Sequence, residues 1–393
     1  MPEEKKKVLF VIHQLNIGGG QIALLSALNA IDYAKNEVTL YVRKNRLDLL
    51  PKVNPKVSRI IVNNDTTHYY RKPYAVFLQL LGLLFRLLGR RGSRHSELLR
   101  DYIVDERMKY EKRHYFSDGN IYDIAICYMH GYHALFTARC VDAKRKIMFY
   151  HSSTDEYHEI HERVMGDFES VYCVSPGAQQ AVRGFYPRFA DRIQCLENIV
   201  SPDEIRRNAD LVKVPFPAGK LILCSCGRFT SVKGFDLAVE AASCLKQKGV
   251  LFVWYLVGDG PERGMLENRI KEMGLNEEIV LTGMLSNPHP YMANCDIYVQ
   301  PSREESQCLA IIEAQVLCRP VVSTRTAGGC TLIQEGVTGI LTDINSQALA
   351  DGIMHLAKDE ASRKQMKRSL EAIDYGVRER DFREKWARLL GDK

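Results

Sequence analysis

The sequence predicts an α/β protein of two doubly wound, Rossmann-like domains, and three observations carry that prediction. Short apolar runs at residues 8–12, 122–127 and 251–257 do not alternate with polar residues, as expected of parallel strands covered on both faces. Such runs are separated by turns and by segments of helical periodicity, the pattern of repeated strand–helix units. The pattern then starts afresh at Leu221, after a stretch rich in proline and charge. With 393 residues, 46% hydrophobic and 26% charged, the chain can bury two cores of ordinary size.

In the first half, strands are expected at 8–12, 38–42, 60–62, 122–127, 146–150, 171–174 and 193–196. Between the first strand and its helix stands Gly18-Gly19-Gly20. Glycines there let a ligand approach the backbone and the helix N-terminus, or simply make a tight turn. The spacing is not G-x-G-x-x-G, so a dinucleotide is not indicated. His151 follows the strand at 146–150 directly, on the side of the sheet where ligands bind. His158 and His161 stand three apart in an acidic run. They lack the H-E-x-x-H order and read as a solvated helix face, so no metal site is expected. Ser175-Pro176 starts a helix, serine as cap and proline in the first turn.

Charge is concentrated. Residues 71–114 hold eleven Lys/Arg against five acids, an excess equal to the whole chain's net charge of +6. Within this stretch, 75–94 is apolar and then cationic, with Arg86, Arg90, Arg91 and Arg94. It reads as an interfacial helix on an anionic membrane surface, or as a helix packed in the core or on a partner. It is too short to span a bilayer. A local patch implies a local anionic partner, and nucleic acid is not expected. The eleven cysteines lie mostly in apolar strands without disulfide spacing, and the first seven residues lead straight into a strand. Both facts point to the cytoplasm, with peripheral attachment to the inner face of the cell membrane if 75–94 binds lipid.

Residues 201–220 read as the linker, giving domains at 1–200 and 201–370, with a C-terminal helix at 371–393 packing back on the first domain through Trp386, Leu389 and Leu390. The second half repeats the winding, with strands at 221–226, 251–257, 279–281, 296–299 and 320–323. Arg228 and Lys233 follow its first strand, and Glu305 and Glu313 lie eight apart across a strand–loop–helix corner. Cations and helix N-termini suit a diphosphate. Carboxylates suit vicinal hydroxyls, so the pattern fits a nucleotide diphosphate sugar.

Five motifs then come in order: Gly227-Arg228 with Lys233-Gly234; Val257-Gly258-Asp259-Gly260-Pro261; Cys295-Asp296-Ile297-Tyr298-Val299-Gln300-Pro301-Ser302; Glu305 and Glu313-Ala314 with seven residues between the glutamates; and Pro320-Val321-Val322. In order and spacing they resemble the retaining glycosyltransferases of the GT-B fold, family four (glycosyl transferases group 1). The likeness is close over 220–345 and looser over 1–200.

It implies two domains facing a central cleft and a hexosyl transfer with retention, independent of metal. The donor would be a UDP-sugar or GDP-sugar, and no further cofactor is implied. Arg228 and Lys233 would neutralise the diphosphate, with Gly227 and Gly258 in the turns beside it. Glu313 would bind the ribose hydroxyls. Glu305 would hold the transferred sugar, helped by backbone N–H groups near Cys308 and Leu309. His151 would contact that sugar, and Gly19 and Gly20 would admit the acceptor or the phosphates. The expected acceptor is a sugar or lipid-linked glycan, such as a polysaccharide intermediate of a bacterial envelope. Where the family has Gly-Phe-Gly after the first glutamate, this chain has Ser306-Gln307-Cys308, the wall expected to read the transferred sugar. Where the family often has a glutamate after the glycine pair, this chain has Leu332. Two other functions fit the fold: a nucleotide-sugar 2-epimerase, and a non-catalytic nucleotide-sugar-binding subunit of a transferase complex.

Overall fold

A computed structural model describes residues 4–63, 94–116 and 119–392. Nearly all of segment 75–94 lies outside these residues; only its last residue enters, at the start of the helix Arg94–Tyr115. No helix among the described residues is long and apolar enough to cross a membrane.

The strands of the first half are β1 (Lys6–Ile12), β2 (Asn36–Val42), β3 (Arg59–Val62), β4 (Tyr122–Cys127), β5 (Ala143–Tyr150), β6 (Ser170–Cys173) and β7 (Ile193–Cys195). They form one sheet in the order β3-β2-β1-β4-β5-β6-β7. Val8 pairs in parallel register with Val38 on one side and Ile124 on the other. The second half gives β8 (Leu221–Cys226), β9 (Phe252–Val257), β10 (Ile279–Gly283), β11 (Ile297–Gln300), β12 (Val321–Thr324) and β13 (Gly339–Thr342). Their order, β10-β9-β8-β11-β12-β13, repeats the same winding. Both sheets reverse direction beside their first strand, between β1 and β4 and between β8 and β11, which is where doubly wound sheets bind ligands.

The absence of alternation along the strands has its cause in two cores per sheet. On β8 and β11, Leu223, Ile297 and Val299 join the cluster around Trp254, while Ile222, Cys224 and Tyr298 join the opposite one with Ile311 and Val321. On β1, residues Val8 to Ile12 are all fully buried.

Two compact units emerge: residues 1–173, 182–194 and 387–393, and residues 174–181 and 195–386. The stretch 201–220 is not a bare linker. Ser201 accepts a hydrogen bond from the Glu204 N–H and caps the helix Pro202–Asp210, whose Ile205 and Ala209 are buried. In the first unit Lys6 Nζ donates to the carbonyls of Leu390 and Gly391 (2.9 and 2.6 Å) and pairs with Asp392 (3.0 Å). Trp386, Leu389 and Leu390 are buried. All eleven cysteines are free thiols.

Candidate functional site

In the second unit the loops leaving β8 and β11 are drawn together by backbone approach. Gly234, at φ +63°, lies where a Cβ would stand 2.1 Å from the Pro301 carbonyl oxygen. At Gly258 a Cβ would stand 1.8 Å from the Gly227 carbonyl oxygen. Only glycine fits either place. The loops are then laced by Arg303. Its N–H donates to the Val232 carbonyl (2.8 Å), and its guanidinium grips Asp236 through two bonds of 2.7 Å. Burial pushes the Asp236 carboxyl up, but Arg303 outweighs it and holds the group below the usual range.

This scaffold presents Lys233 to Glu305. The ammonium lies 2.7 Å from Glu305 Oε1, on a carboxylate only 7% exposed. The same oxygen accepts from Ser302 Oγ at 2.8 Å and Gln300 Nε2 at 3.3 Å. Behind them Tyr298 OH donates to Gln300 Oε1 at 2.8 Å. Every hydrogen bond to the carboxylate from the described residues falls on Oε1, so Oε2 keeps its acceptor capacity. Burial pulls the Lys233 ammonium down, but Glu305 more than offsets it and the group is held above its ordinary value. Arg228, exposed, makes no side-chain contact of this kind among the described residues.

The helix Leu309–Val316 begins at the end of this loop with Cys308 as its N-cap. The first N–H groups of a helix have no acceptor inside it, and here they open beside Glu305. The Cys308 and Leu309 side chains are buried, so only their backbone is available to a ligand. Glu313, one turn further, points at His289, with 3.7 Å between Oε2 and Nε2.

Gln307, half-buried, is tied to the backbone of Asn198. Its Oε1 accepts from the Asn198 N–H (2.8 Å) and its Nε2 donates to the Asn198 carbonyl (3.0 Å). Of the three residues that depart from the family pattern, Cys308 is buried and Gln307 is bonded to Asn198. Leu332 packs against the core cluster beside β11, and Gln315 bonds its carbonyl.

The first unit holds the remaining candidates. Gly19 and Gly20 open the helix Gly19–Ala30 behind an extended Gly18. A Cβ on Gly20 would meet Met129 Sδ at 3.2 Å and His151 Nδ1 at 3.9 Å, whereas Gly19 faces open space. His151 lies tilted against Tyr128, with ring centroids 5.2 Å apart, and its Nε2 is enclosed without a hydrogen-bond partner among the described residues. Burial pushes its pKa down to about 4, so the ring is neutral.

One expectation fails here. His161 is fully buried rather than on a solvated face. Its Nε2 accepts from the Gly131 N–H at 2.8 Å, which leaves the proton on Nδ1, facing Tyr186 OH at 3.0 Å. Tyr186 in turn donates to Asp155. The acidic run hid a buried relay that pins the loop after β4 to the loop after β5. No cluster of metal-ligating residues occurs among the described residues.

The family described as glycosyl transferases group 1 matches residues 206–371. The lipopolysaccharide core biosynthesis glycosyltransferase LpsE of Rhizobium meliloti (strain 1021) is 28% identical over 196 residues, 50% of this chain and 56% of the relative. The alpha-D-kanosaminyltransferase of Streptomyces kanamyceticus is 32% identical over 148 residues, 37% of this chain and 38% of the relative. The chain thus spans about half the length, or less, of these curated relatives. Over nearly its whole length it superposes on Anabaena Alr3699/HepE in complex with UDP-glucose. The TM-score is 0.71 at 17% identity, covering 98% of this chain and 100% of that one. That likeness establishes the fold: α/β, with two parallel-sheet, Rossmann-like domains as in GT-B proteins.

Proposed function

We propose that the chain is a retaining glycosyltransferase of family four that moves a hexosyl group from a UDP- or GDP-linked sugar to an acceptor. One observation carries the reading: Lys233 and Glu305, brought together at the β8/β11 reversal, with Glu305 Oε2 open. Arg228 and Lys233 take the diphosphate and stabilise the charge that develops on it as it leaves, the work a metal ion does elsewhere. Glu305 Oε2 accepts from a hydroxyl of the transferred sugar, and Glu313 accepts from the ribose diol. His151, a neutral ring, contacts the sugar.

The bond from the anomeric carbon to the diphosphate breaks, and its electron pair leaves with the nucleotide. The acceptor oxygen attacks from the same face and gives its proton to the departing phosphate. UDP-glucose in the HepE structure supports a nucleotide-sugar donor. The part LpsE plays in lipopolysaccharide core synthesis supports an envelope glycan acceptor. We further propose that segment 75–94 attaches the chain to an anionic membrane surface on the cytoplasmic side, from the apolar-then-cationic order of its residues.

The test is release of nucleoside diphosphate from a panel of UDP- and GDP-sugars with a lipid-linked glycan acceptor, and the anomeric configuration of the product by NMR. Acceptor-dependent release with retained configuration is expected, unchanged by EDTA. An epimerised sugar without transfer would assign the chain to the epimerases instead. For the membrane contact, changing Arg86, Arg90, Arg91 and Arg94 to Glu should abolish flotation with anionic liposomes; flotation equal to wild type would refute it.

A further inference from the structure

Glu313 stands beside a group that the family motifs do not contain. His289 opens the short helix His289–Asn294, and its Nε2 lies 3.7 Å from Glu313 Oε2. Both side chains are mostly covered, at 13% and 15% exposure. Both ring nitrogens of His289 are enclosed, and neither has a hydrogen-bond partner among the described residues. Closed space around two unpaired polar atoms is unfavourable, and native proteins leave few such groups without a reason.

The ring is also held firmly at its root. The His289 N–H donates to Asn287 Oδ1 at 3.2 Å, and Asn287 Nδ2 donates to the Asn208 carbonyl at 2.7 Å. The imidazole is thereby tied to the end of the helix Pro202–Asp210. It is fixed in place, yet its polar atoms stop just short of the carboxylate.

We infer that His289 is a positioning residue for Glu313: its Nε2–H closes onto Oε2 when a ribose diol engages the carboxylate. The inference rests on the reading of Glu313 as the ribose-binding group. A carboxylate in a flexible side chain that must accept two vicinal hydroxyls gains from a third donor that fixes its plane, because less rotamer freedom is lost on binding. A bonded outer partner orients a carboxylate in the same way at metal sites. The 3.7 Å gap between the two side chains is a side-chain adjustment away from a hydrogen bond. His289 therefore touches no substrate and acts through Glu313.

The experiment uses the full chain and two probe pairs, UDP with 2′-deoxy-UDP and GDP with 2′-deoxy-GDP. Dissociation constants are measured for wild type, Glu313→Ala, His289→Ala, His289→Gln and the double alanine variant, with thermal melts to exclude unfolding. Wild type should prefer the ribonucleotide by about tenfold or more, since a hydroxyl bonded to a charged acceptor is lost in the deoxy form. Glu313→Ala should erase that preference. His289→Ala should reduce it several-fold, the double variant should be no worse than Glu313→Ala, and His289→Gln, which keeps a donor, should restore part of it. If Glu313→Ala erases the preference while His289→Ala keeps it whole, the inference is wrong and the ribose assignment stands. If Glu313→Ala keeps the preference, or no ribonucleotide binds, the ribose assignment falls and takes this inference with it.

Discussion

In the first unit the loops leaving β4 and β5 present neutral imidazoles packed among tyrosines: His130 stacks on Tyr150 at 4.5 Å, and His151 lies near Tyr128. In the second, the loops leaving β8 and β11 present an ammonium against a carboxylate, with an exposed guanidinium and a second carboxylate close in sequence. Yet the two sheets run in the same order from their first strand outwards. The winding fixes where a ligand can sit. The loop residues fix whether that place is neutral and apolar, suited to sugar faces, or charged, suited to a diphosphate. Each unit can be broken separately, and that is how the comparison is tested.

The largest effect is expected from Lys233→Ala. Removing one preorganised donor to developing charge lowers turnover by about 100-fold or more, read as single-turnover release of nucleoside diphosphate. It also leaves the buried Glu305 without its ion pair, so the melting temperature should fall as well. Lys233→Arg, keeping the charge, should recover stability more than rate.

Next come the glycines. Gly234→Ala meets the Pro301 carbonyl in a left-handed backbone conformation and should destabilise the second unit by about 1–3 kcal/mol or more. Gly20→Ala meets the flexible Met129 side chain at 3.2 Å and His151 only at ordinary van der Waals distance, 3.9 Å, and should leave the fold near wild type. Urea titration of both variants checks the contrast.

Titration should separate the units at opposite ends of the pH scale. Burial pushes His151 and His161 from 6.5 down to about 4. As pH falls below 6.5 the unfolded chain binds protons first, so stability contributed by the neutral rings is lost between about 6.5 and about 4, at up to about 1.4 kcal/mol per pH unit for each. Lys233 behaves in the reverse sense. Glu305 holds its pKa above 10.5, so the pair's contribution is whole at neutral pH and is lost only as pH rises beyond that value. Hydrogen exchange resolved by peptide should show the first unit loosening in acid and the second in alkali. The smallest effect is expected at Gln307→Ala, which frees Asn198 and should raise the donor KM a few-fold with kcat little changed.

Most strands were legible because doubly covered strands leave runs such as 8–12 and 251–257 without polar interruption. The candidate site residues stood out in the sequence for a related reason: parallel sheets put such residues just past strand ends. What escaped were pairings without local spacing. Arg303 finds Asp236 67 residues away, and Gln307 finds Asn198 109 residues away. No periodicity encodes either. His161 was misread because its acidic neighbours look solvated, while Gly131 and Tyr186, which bury it, lie 30 and 25 residues off. The run at 201–220 was misread because proline and charge mark a helix start as readily as a linker, and Ser201-Pro202 is a cap.

We propose that Lys233, at the reversal of the second sheet, holds the nucleotide, and that His151 of the first unit acts on the sugar. Calorimetric titration of UDP and GDP into wild type, Lys233→Ala and His151→Ala tests it most directly. Lys233→Ala should weaken the nucleotide that wild type binds by tenfold or more, while His151→Ala should bind it as wild type does yet lose turnover of the sugar donor. Unchanged nucleotide affinity in Lys233→Ala, or a matching loss in His151→Ala, would contradict it.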